Sequence, residues 1–286
     1  MKDLPWHRYF PGDGKIWTIV GVLSAISILV VYNSTGMLAY RYQGGHTAYY
    51  VLKHTGMVLS GMLIMFIVSH IKYTYFSRIG QVLFLLAVPL LALTLAMPKV
   101  NDASRWLEIP LIGVSFQTSD LAKLALIMYL ARILAKKQPV IGEKATFYQV
   151  VWPPLLVCAL IFPENLSTAV LLMTTSLCMM FFGGVKVRYL MGLMGVFVLG
   201  AGLLLATFYI VPKEHLPGRF ATWKARIENF ASDDIDSDSN YQATQAKIAV
   251  ANGGLVGQWG NGTLRNFLPH PYSDYAYAMI LEEGGM

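Results

Sequence analysis

The feature that most limits what this chain can fold into is a series of long apolar runs that are almost free of charge. Hydrophobic residues make up 55% of the 286 residues and charged residues only 13%, whereas soluble domains carry roughly 25% charge. About 20 apolar residues are needed for a helix to cross the hydrocarbon of a bilayer. Runs of this length predict an all-α, polytopic membrane protein with spans at 16–33, 48–70, 79–97, 117–135, 147–163, 166–184 and 189–212.

The start of the fifth span is the least defined by sequence, because Pro153 and Pro154 lie inside a short run. Cys158 and Cys178 both fall inside apolar spans. Free cysteine behaves as a small buried hydrophobe, so we expect packing roles for both thiols and no disulfide framework.

Basic residues are distributed unequally between the loops. The loops on one side hold most of the lysines and arginines, whereas the opposite short loops hold only Arg41, Lys99 and Arg105. Basic loops stay in the cytoplasm, so the N-terminus is predicted to be cytoplasmic and the loop after the seventh span to face outside. The net charge of +6 is therefore a topology signal and does not indicate a nucleic-acid partner. The cytoplasmic set is Lys2, Arg8, Lys15, Lys72, Arg78, Arg132, Lys136, Lys137, Lys144, Lys186 and Arg188.

Four segments follow from this topology. They are a cytoplasmic N-terminal segment (1–15), a seven-span membrane domain (16–212), a large extracytoplasmic loop (213–272) and a final segment (273–286). The apolar residues after Asp274 extend roughly 20 Å as a helix, less than a hydrocarbon core of ~30 Å. We expect them to begin an eighth span, and the chain to lack the last part of a larger membrane domain.

The large loop is unusually rich in carboxylates and cations. Such a loop adds nothing to the stability of a membrane protein, so it is the first place to look for chemistry. A solvated acidic turn is the alternative interpretation of such a run. The loop region holds Glu228, Asp233, Asp234, Asp236, Asp238 and Asp274 together with Lys224, Arg226, Lys247 and Arg265.

Several ionisable residues fall within or beside the apolar spans, where an isolated charge is costly. Asp120 and Lys123 share one helix face, so we expect them to pair or to line a wet cavity. Thr118 or Ser119 is expected to cap that helix.

Glu164 and Asn165 are predicted to form a tight outer turn in which Asn165 caps the next helix. Glu282 and Glu283 are two adjacent carboxylates in an apolar run, and pairing with a basic residue is favoured over catalysis for both. The histidines show no metal-ligand spacing, and GGLVGQWGNG lacks the GK[ST] ending of a phosphate loop, so a flexible re-entrant or surface loop is expected there.

The motifs in the second half of the chain are similar to those of the SEDS family (FtsW, RodA and SpoVE), whose members polymerise peptidoglycan. The similar segments, in order, are the Arg105–Trp106 pair, GVSFQTSDLAKLALIMYLA, PENLSTAVLL, RIENF with the acidic loop, KIAVANGGLVGQWGNGT and FLPHPYSDYAYAMILEE. The family usually shows FQPSE where this chain has FQTSD, and D-P-x-x-D-P where it has SDDIDSD. The resemblance implies a SEDS-type bundle of ten spans, of which this chain holds about seven and part of an eighth.

The resemblance also implies an activity, the polymerisation of lipid II with release of undecaprenyl pyrophosphate. One carboxylate would act as general base on the acceptor 4-hydroxyl, and cations would face the pyrophosphate. The family's spacing from Arg226 assigns the base to Asp236, with Asp234 and Asp238 as runners-up. The substrate-binding residues implied are Arg105, Trp106, Gln117, Lys123, Lys224, Arg226, Gln242, Lys247 and His270, supported by Asp120, Asp274 and Glu282.

No cofactor is certain from the resemblance, and a divalent cation, Mg²⁺ or Mn²⁺, is the one candidate. The implied partners are lipid II, a class B penicillin-binding transpeptidase and other division proteins, at the septum in the bacterial inner membrane. RNFLPHPYSD looks most like division-type members from Bacteroidetes-like bacteria, with the RodA elongation type second. A lipid II flippase and a scaffold that only recruits the transpeptidase are the alternative functions, and neither needs the acidic loop.

Overall fold

The computed structural model describes residues 11–36, 39–40, 44, 46–96, 106–109, 114–212, 215–216, 219–231, 238–258, 262 and 275–285. The described residues form helices and one short antiparallel ribbon. In chain order these are α1 (Gly14–Ser34), α2 (Thr47–His70), α3 (Tyr73–Ala96), β1 (Trp106–Ile109), β2 (Val114–Gln117), α4 (Thr118–Lys137), a 3₁₀ turn (Gln138–Val140), α5 (Lys144–Ile161), α6 (Leu166–Phe182), α7 (Val187–Ile210), α8 (Arg219–Ala231), α9 (Asp238–Gly253) and α10 (Ala276–Gly284).

The helices confirm the all-α polytopic membrane fold. Within the described residues, α1, α2, α3, α5 and α7 each contain a segment long and apolar enough to cross a bilayer. Helix α6 is a shorter apolar helix. Helix α4 coincides with the fourth predicted span, but it carries Asp120, Lys123 and Arg132 and is therefore more polar.

Two elements differ from the sequence expectation. Helix α3 begins at Tyr73, ahead of the predicted start at 79, and α5 runs through Pro153 and Pro154 without ending. Both prolines are buried, and neighbouring helices can compensate for a missing backbone donor inside a membrane bundle. The β1–β2 ribbon was not predicted from the sequence, because two four-residue strands are too short to give a periodic signal.

The chain divides into two compact units, a central unit (Lys72–Glu228) and a terminal unit (Met1–Ile71 with Asn229–Met286). The core of the central unit lies between α3, α4, α5 and α6. Small residues let these helices approach closely, as is usual for helices packed in membranes. The buried set is Ala87, Leu91, Ala122, Ala125, Leu126, Val157, Cys158, Ile161, Ala169, Leu172 and Met173.

The two cysteines have different environments. Cys158 is buried in this core with its sulfur 3.5 Å from the carbonyl oxygen of Ala169, as the packing prediction requires. Cys178 is exposed on α6. The prediction that Cys178 packs inside the bundle was wrong, because its face of α6 points away from the neighbouring helices.

In the terminal unit, a polar contact and a ring contact join α1 to α2. The hydroxyl of Ser27 lies 2.9 Å from Nε2 of His54, and the Trp17 and Phe66 rings meet edge to face with centroids 6.4 Å apart. Asp13 caps α1 by accepting a hydrogen bond from the amide of Lys15 at 3.0 Å. The same unit contains α9 and α10, which pack against each other around Ala249 and Ala278.

Candidate functional site

The antiparallel ribbon places two of the predicted site residues directly opposite each other on neighbouring strands. In the β1–β2 register, Trp106 is opposite Gln117, and β2 then leads directly into α4 at Thr118. We call this region the hairpin end of the central unit. It contains the ribbon, the N-terminus of α4, the C-terminus of α3 and the turn between α5 and α6.

The first turn of α4 is fixed by hydroxyl groups that point inward. Gln117 occupies the N-cap position without a side-chain capping bond, and its Nε2 donates to Oγ of Ser119 at 2.8 Å. The Oγ1 atoms of Thr94 and Thr118 lie 3.3 Å apart and are buried. The prediction that Thr118 or Ser119 caps α4 was therefore wrong, because both are already helical and use their hydroxyls for contacts with other side chains.

Asp120 and Lys123 form the predicted ion pair. Nζ of Lys123 lies 2.6 Å from Oδ1 of Asp120, and the side chains are 35% and 57% exposed, respectively. An exposed pair of this kind contributes about 0–1 kcal/mol to stability, so folding alone does not require it. The pair presents a cation and an anion side by side at the hairpin end, one turn from the ribbon.

The α5–α6 turn forms the other wall of this end. Asn165 caps α6 by accepting a hydrogen bond from the Thr168 amide at 3.2 Å, as predicted. Glu164 is buried, with 8% of its surface exposed. A small cleft with several polar side chains thus separates the turn from α3 and α4, and it is lined by Leu91, Thr94, Leu95, Thr118, Ser119, Leu160, Ile161, Glu164 and Asn165. Sequence reasoning assigned Glu164 only to the turn and did not detect this cleft.

Helix α8, where the acidic loop begins, is anchored to the same end by aromatic side chains. Trp223 is buried and meets Phe162 of the α5–α6 turn edge to face, with ring centroids 5.3 Å apart. Phe220 lies between Trp223 and Phe208 of α7, at 4.9 Å and 6.3 Å, respectively. The polar helix is thereby attached to the membrane bundle by ring contacts with two other segments.

The two predicted cations on α8 occupy different environments. Nζ of Lys224 donates to the carbonyl oxygen of Val211 at 2.6 Å and lies 3.8 Å from Oε1 of Glu228. This places a cation beside the C-terminus of α7, where the helix dipole favours positive charge. Lys224 therefore holds α8 in place, and its contact with substrate stays a prediction. Arg226 is exposed and accessible to a ligand.

The remaining predicted residues fall into two groups. Lys247 is exposed on α9. The backbone of Asp238 and Gln242 lies in the same helix and that of Trp106 in β1, and the side chains of these three residues are not described. Arg105, Asp234, Asp236, His270 and Asp274 lie outside the described residues. The structure thus brings together Gln117, Asp120 and Lys123 and places Lys224 and Arg226 at the same end.

The glycine-rich segment after α9 is held against α10 in its described part, which corrects the expectation of a flexible loop. A Cβ atom at Gly253 would lie 2.0 Å from the carbonyl oxygen of Leu281, and one at Gly257 would lie 2.3 Å from that of Glu283. The amide of Gln258 donates to the carbonyl oxygen of Glu282 at 2.9 Å. Only glycine permits this backbone contact, which explains the composition of the segment.

Glu282 is fully buried beneath this contact. A Cβ atom at Gly262 would lie 3.0 Å from Oε2 of Glu282 and 2.9 Å from Oε1 of Glu283. The two carboxyl groups therefore share one pocket of the terminal unit, and the supporting role of Glu282 stays a prediction. Among the described residues, no group of three or more His, Cys, Asp or Glu side chains could hold a metal ion.

Comparison with known proteins extends these observations over nearly the whole chain. The sequence profile FTSW_RODA_SPOVE, described as cell cycle protein, matches residues 14–286. A protein of Halomonas elongata named probable peptidoglycan glycosyltransferase FtsW is 32% identical, and the alignment covers 94% of this chain and 67% of that protein. Proteins with the same name from Legionella pneumophila (29% identical, 94% and 67% covered) and Geobacter metallireducens (28% identical, 100% and 73% covered) are also similar.

A solved structure shares the fold. It is described as "Structural coordination of polymerization and crosslinking by a peptidoglycan synthase complex", and it superposes with a TM-score of 0.65 at 18% identity. The match covers 96% of this chain and 72% of the other. Because the profile match runs from the first residue of α1 through α10, the chain belongs to the FtsW/RodA/SpoVE (SEDS) family.

Proposed function

We propose that this protein is a peptidoglycan glycosyltransferase that polymerises lipid II during cell division. The names of the similar proteins support the activity and the division role. The solved structure with the same fold is a peptidoglycan synthase complex whose description names both polymerisation and crosslinking. This supports a transpeptidase partner. The chain is a multi-pass protein of the bacterial inner membrane, and we propose a cytoplasmic N-terminus and a septal location.

The observation that carries this proposal is the attachment of α8 to the hairpin end. Aromatic contacts of Trp223 hold the start of the acidic loop on the end that also presents the Asp120–Lys123 pair. In the sequence, Asp236 follows Ala231, the last residue of α8, by five residues. The loop that carries the proposed base therefore begins, in the sequence, directly after the helix that is attached to the hairpin end.

In the proposed reaction, Asp236 accepts the proton of the acceptor 4-hydroxyl as its oxygen attacks C1 of the donor sugar. The new bond joins that oxygen to C1, and the bond from C1 to the pyrophosphate oxygen breaks with its electron pair. Undecaprenyl pyrophosphate leaves carrying the negative charge. General-base assistance of this kind contributes typically ~10²–10⁴ in rate.

Cations around the site would stabilise the leaving pyrophosphate. Lys123 and Arg226 are the described candidates, since both are accessible at the hairpin end. Arginine suits this task because its planar donors match phosphate oxygens in pairs. Arg105, Trp106, Gln117, Lys224, Gln242, Lys247 and His270 complete the proposed substrate-binding set.

The proposal predicts that Asp236→Asn lowers glycan polymerisation from purified lipid II by ~10²–10⁴, because asparagine keeps the shape and removes the basicity. Asp233→Asn, in the same acidic run, is the matched control and should retain activity. Polymer length and amount would be measured on gels with labelled lipid II. Loss of activity in Asp234→Asn or Asp238→Asn, but not in Asp236→Asn, would move the base to that residue, and full activity of all three would contradict an enzymatic role for the loop.

A lipid II flippase is the outcome to test beside it. Both proteins would be reconstituted in liposomes with labelled lipid II. If wild type forms no polymer and the Asp236→Asn protein still moves lipid II across the membrane, a flippase is favoured. Wild-type polymer formation that stops in the variant would favour the transferase.

A further inference from the structure

The end of the central unit opposite the hairpin end carries a strong positive charge. Residues 72–78, 132–144 and 183–189, all described, hold eight lysines and arginines and a single carboxylate, Glu143. The positive-inside rule places this end at the cytoplasmic leaflet. The rule accounts for the number of cations but not for their arrangement. The basic residues are Lys72, Arg78, Arg132, Lys136, Lys137, Lys144, Lys186 and Arg188.

Three of the cations lie on or beside two turns that are tied together. Nε2 of Gln138 donates to the carbonyl oxygen of Gly183 at 2.8 Å, which joins the turn before α5 to the turn before α7. The Lys186 side chain then lies across Gly142, where an added Cβ atom would be 3.0 Å from Cε and 3.4 Å from Nζ. The N-termini of α5 and α7, with Lys144 and Arg188, are thereby held side by side.

Aromatic rings lie beside these cations. Phe147 of α5 stacks on Tyr189 of α7 with ring centroids 5.1 Å apart. The Lys144 ammonium lies 5.9 Å from the Tyr148 centroid, and the Arg188 guanidinium lies 5.7 Å from the Tyr189 centroid. Tyrosine is enriched at the headgroup level of membranes, so this arrangement belongs at the boundary between water and hydrocarbon.

The three cations are available to a ligand. Lys144, Lys186 and Arg188 are exposed, and none of them pairs with a carboxylate among the described residues. Glu143 is also exposed but does not neutralise them. Three unpaired cations within one pair of turns would repel one another, and a bound anion would relieve that repulsion.

We propose that Lys144, Lys186 and Arg188 form a binding site for the phosphodiester headgroup of an anionic phospholipid of the inner leaflet, such as phosphatidylglycerol. Basic sites between membrane helices on the cytoplasmic side bind anionic headgroups. Arg188 can donate to two phosphate oxygens at once, the lysines add point charges, and the tyrosines contact the glycerol region. The site lies at the opposite end of the central unit from the Asp120–Lys123 pair, so it is distinct from the cations proposed to contact the lipid-linked substrate.

Native mass spectrometry of the purified protein with added phosphatidylglycerol or phosphatidylcholine of the same acyl chains tests this site. Wild type should retain phosphatidylglycerol in preference to phosphatidylcholine. The Lys144→Gln/Lys186→Gln/Arg188→Gln variant should lose the preference, by about fivefold for each cation removed. A matched variant, Lys72→Gln/Arg78→Gln/Lys136→Gln, removes three exposed cations of the same end outside the site and should keep it.

A charge-preserving variant keeps the test valid if the glutamine variant fails to fold. Lys144→Arg/Lys186→Arg/Arg188→Lys should retain phosphatidylglycerol, and the wild-type preference should weaken as salt is raised. Equal losses in the two glutamine variants would show diffuse surface charge and overturn the proposal. Equal retention of both lipids by wild type would also overturn it. Displacement of phosphatidylglycerol by a polyglutamate peptide would overturn it too, because it would assign the site to an acidic protein segment.

Discussion

Helices of equal hydropathy are packed very differently in the two units. The apolar segments of α1, in the terminal unit, and α3, in the central unit, have the same mean hydropathy of 2.0, yet 0% of the first and 22% of the second is buried. Helix α5 of the central unit has a lower value, 1.3, and is 50% buried. Hydropathy therefore reports that a helix lies in the membrane, and it does not report what the helix touches there.

The difference arises from side-chain size and shape. Lipid tails are as apolar as leucine, so helices associate in a membrane through close packing and polar contacts. In the central unit, a Cβ atom at Gly80 of α3 would lie 2.6 Å from Cβ of Met128 on α4. In the terminal unit, a Cβ atom at Gly56 or Gly61 of α2 would meet no described atom outside the backbone of its own helix within 4 Å. Gly80 thus permits close contact between α3 and α4, whereas Gly56 and Gly61, like Gly192 and Gly195 of α7, have no described neighbour at that distance.

The largest effect is expected for Trp223→Ala, which would remove the anchor of α8 from the central unit. Truncation of a buried aromatic side chain costs about 3–5 kcal/mol. Detachment should expose α8 to trypsin, which cleaves after Lys224 and Arg226, and should lower polymerisation if α8 carries substrate contacts. Cleavage rates by gel would measure the opening.

Ile227→Ala is the control for α8, because it truncates an apolar side chain of the same helix that is 46% exposed. It should leave the cleavage rate close to that of wild type. If trypsin cleaves the Trp223→Ala protein no faster than wild type, the aromatic contacts do not hold the helix.

A smaller effect is expected for Gly80→Ala, which tests the comparison between the units directly. The added methyl group must displace Met128, and overpacking of this kind costs typically 1–3 kcal/mol. Gly56→Ala on α2 is the matched change in the terminal unit and should not destabilise. Thermal unfolding in detergent should show a lower Tm for the Gly80 variant alone, and equal Tm values would show that α3 and α4 can separate freely.

The smallest effect is expected for Ser27→Ala, which removes the hydrogen bond to His54 between α1 and α2. Polar contacts between membrane helices average about 0.6 kcal/mol. Ser60→Ala is the control, since Oγ of Ser60 donates to the carbonyl oxygen of Gly56 in its own helix. If Ser27→Ala lowers the Tm by more than Gly80→Ala does, the contact between α1 and α2 is not weak.

Much of the fold followed from the sequence, and the reasons are specific. The long apolar helices were predicted because each is a run with few charges, and the Asp120–Lys123 pair because the two residues are three apart on one helix face. The Asn165 cap was found because its signal is local. The β1–β2 ribbon, the burial of Glu164 and the glycine contacts with α10 were missed, since each depends on residues that are distant in sequence or on strands too short to recognise.

The sequence alone determined the membrane class, the approximate limits of the long apolar helices and the motifs that relate the chain to its family, because these depend on composition and local order. Only the tertiary structure decided which helices form a core, which cysteine is buried, and that α8 is attached through Trp223 to the end that holds Asp120 and Lys123. Inside a bilayer most spans are apolar on nearly all sides, so periodicity cannot mark the packed face. Close contact is set instead by the shapes of particular side chains that meet across the bundle.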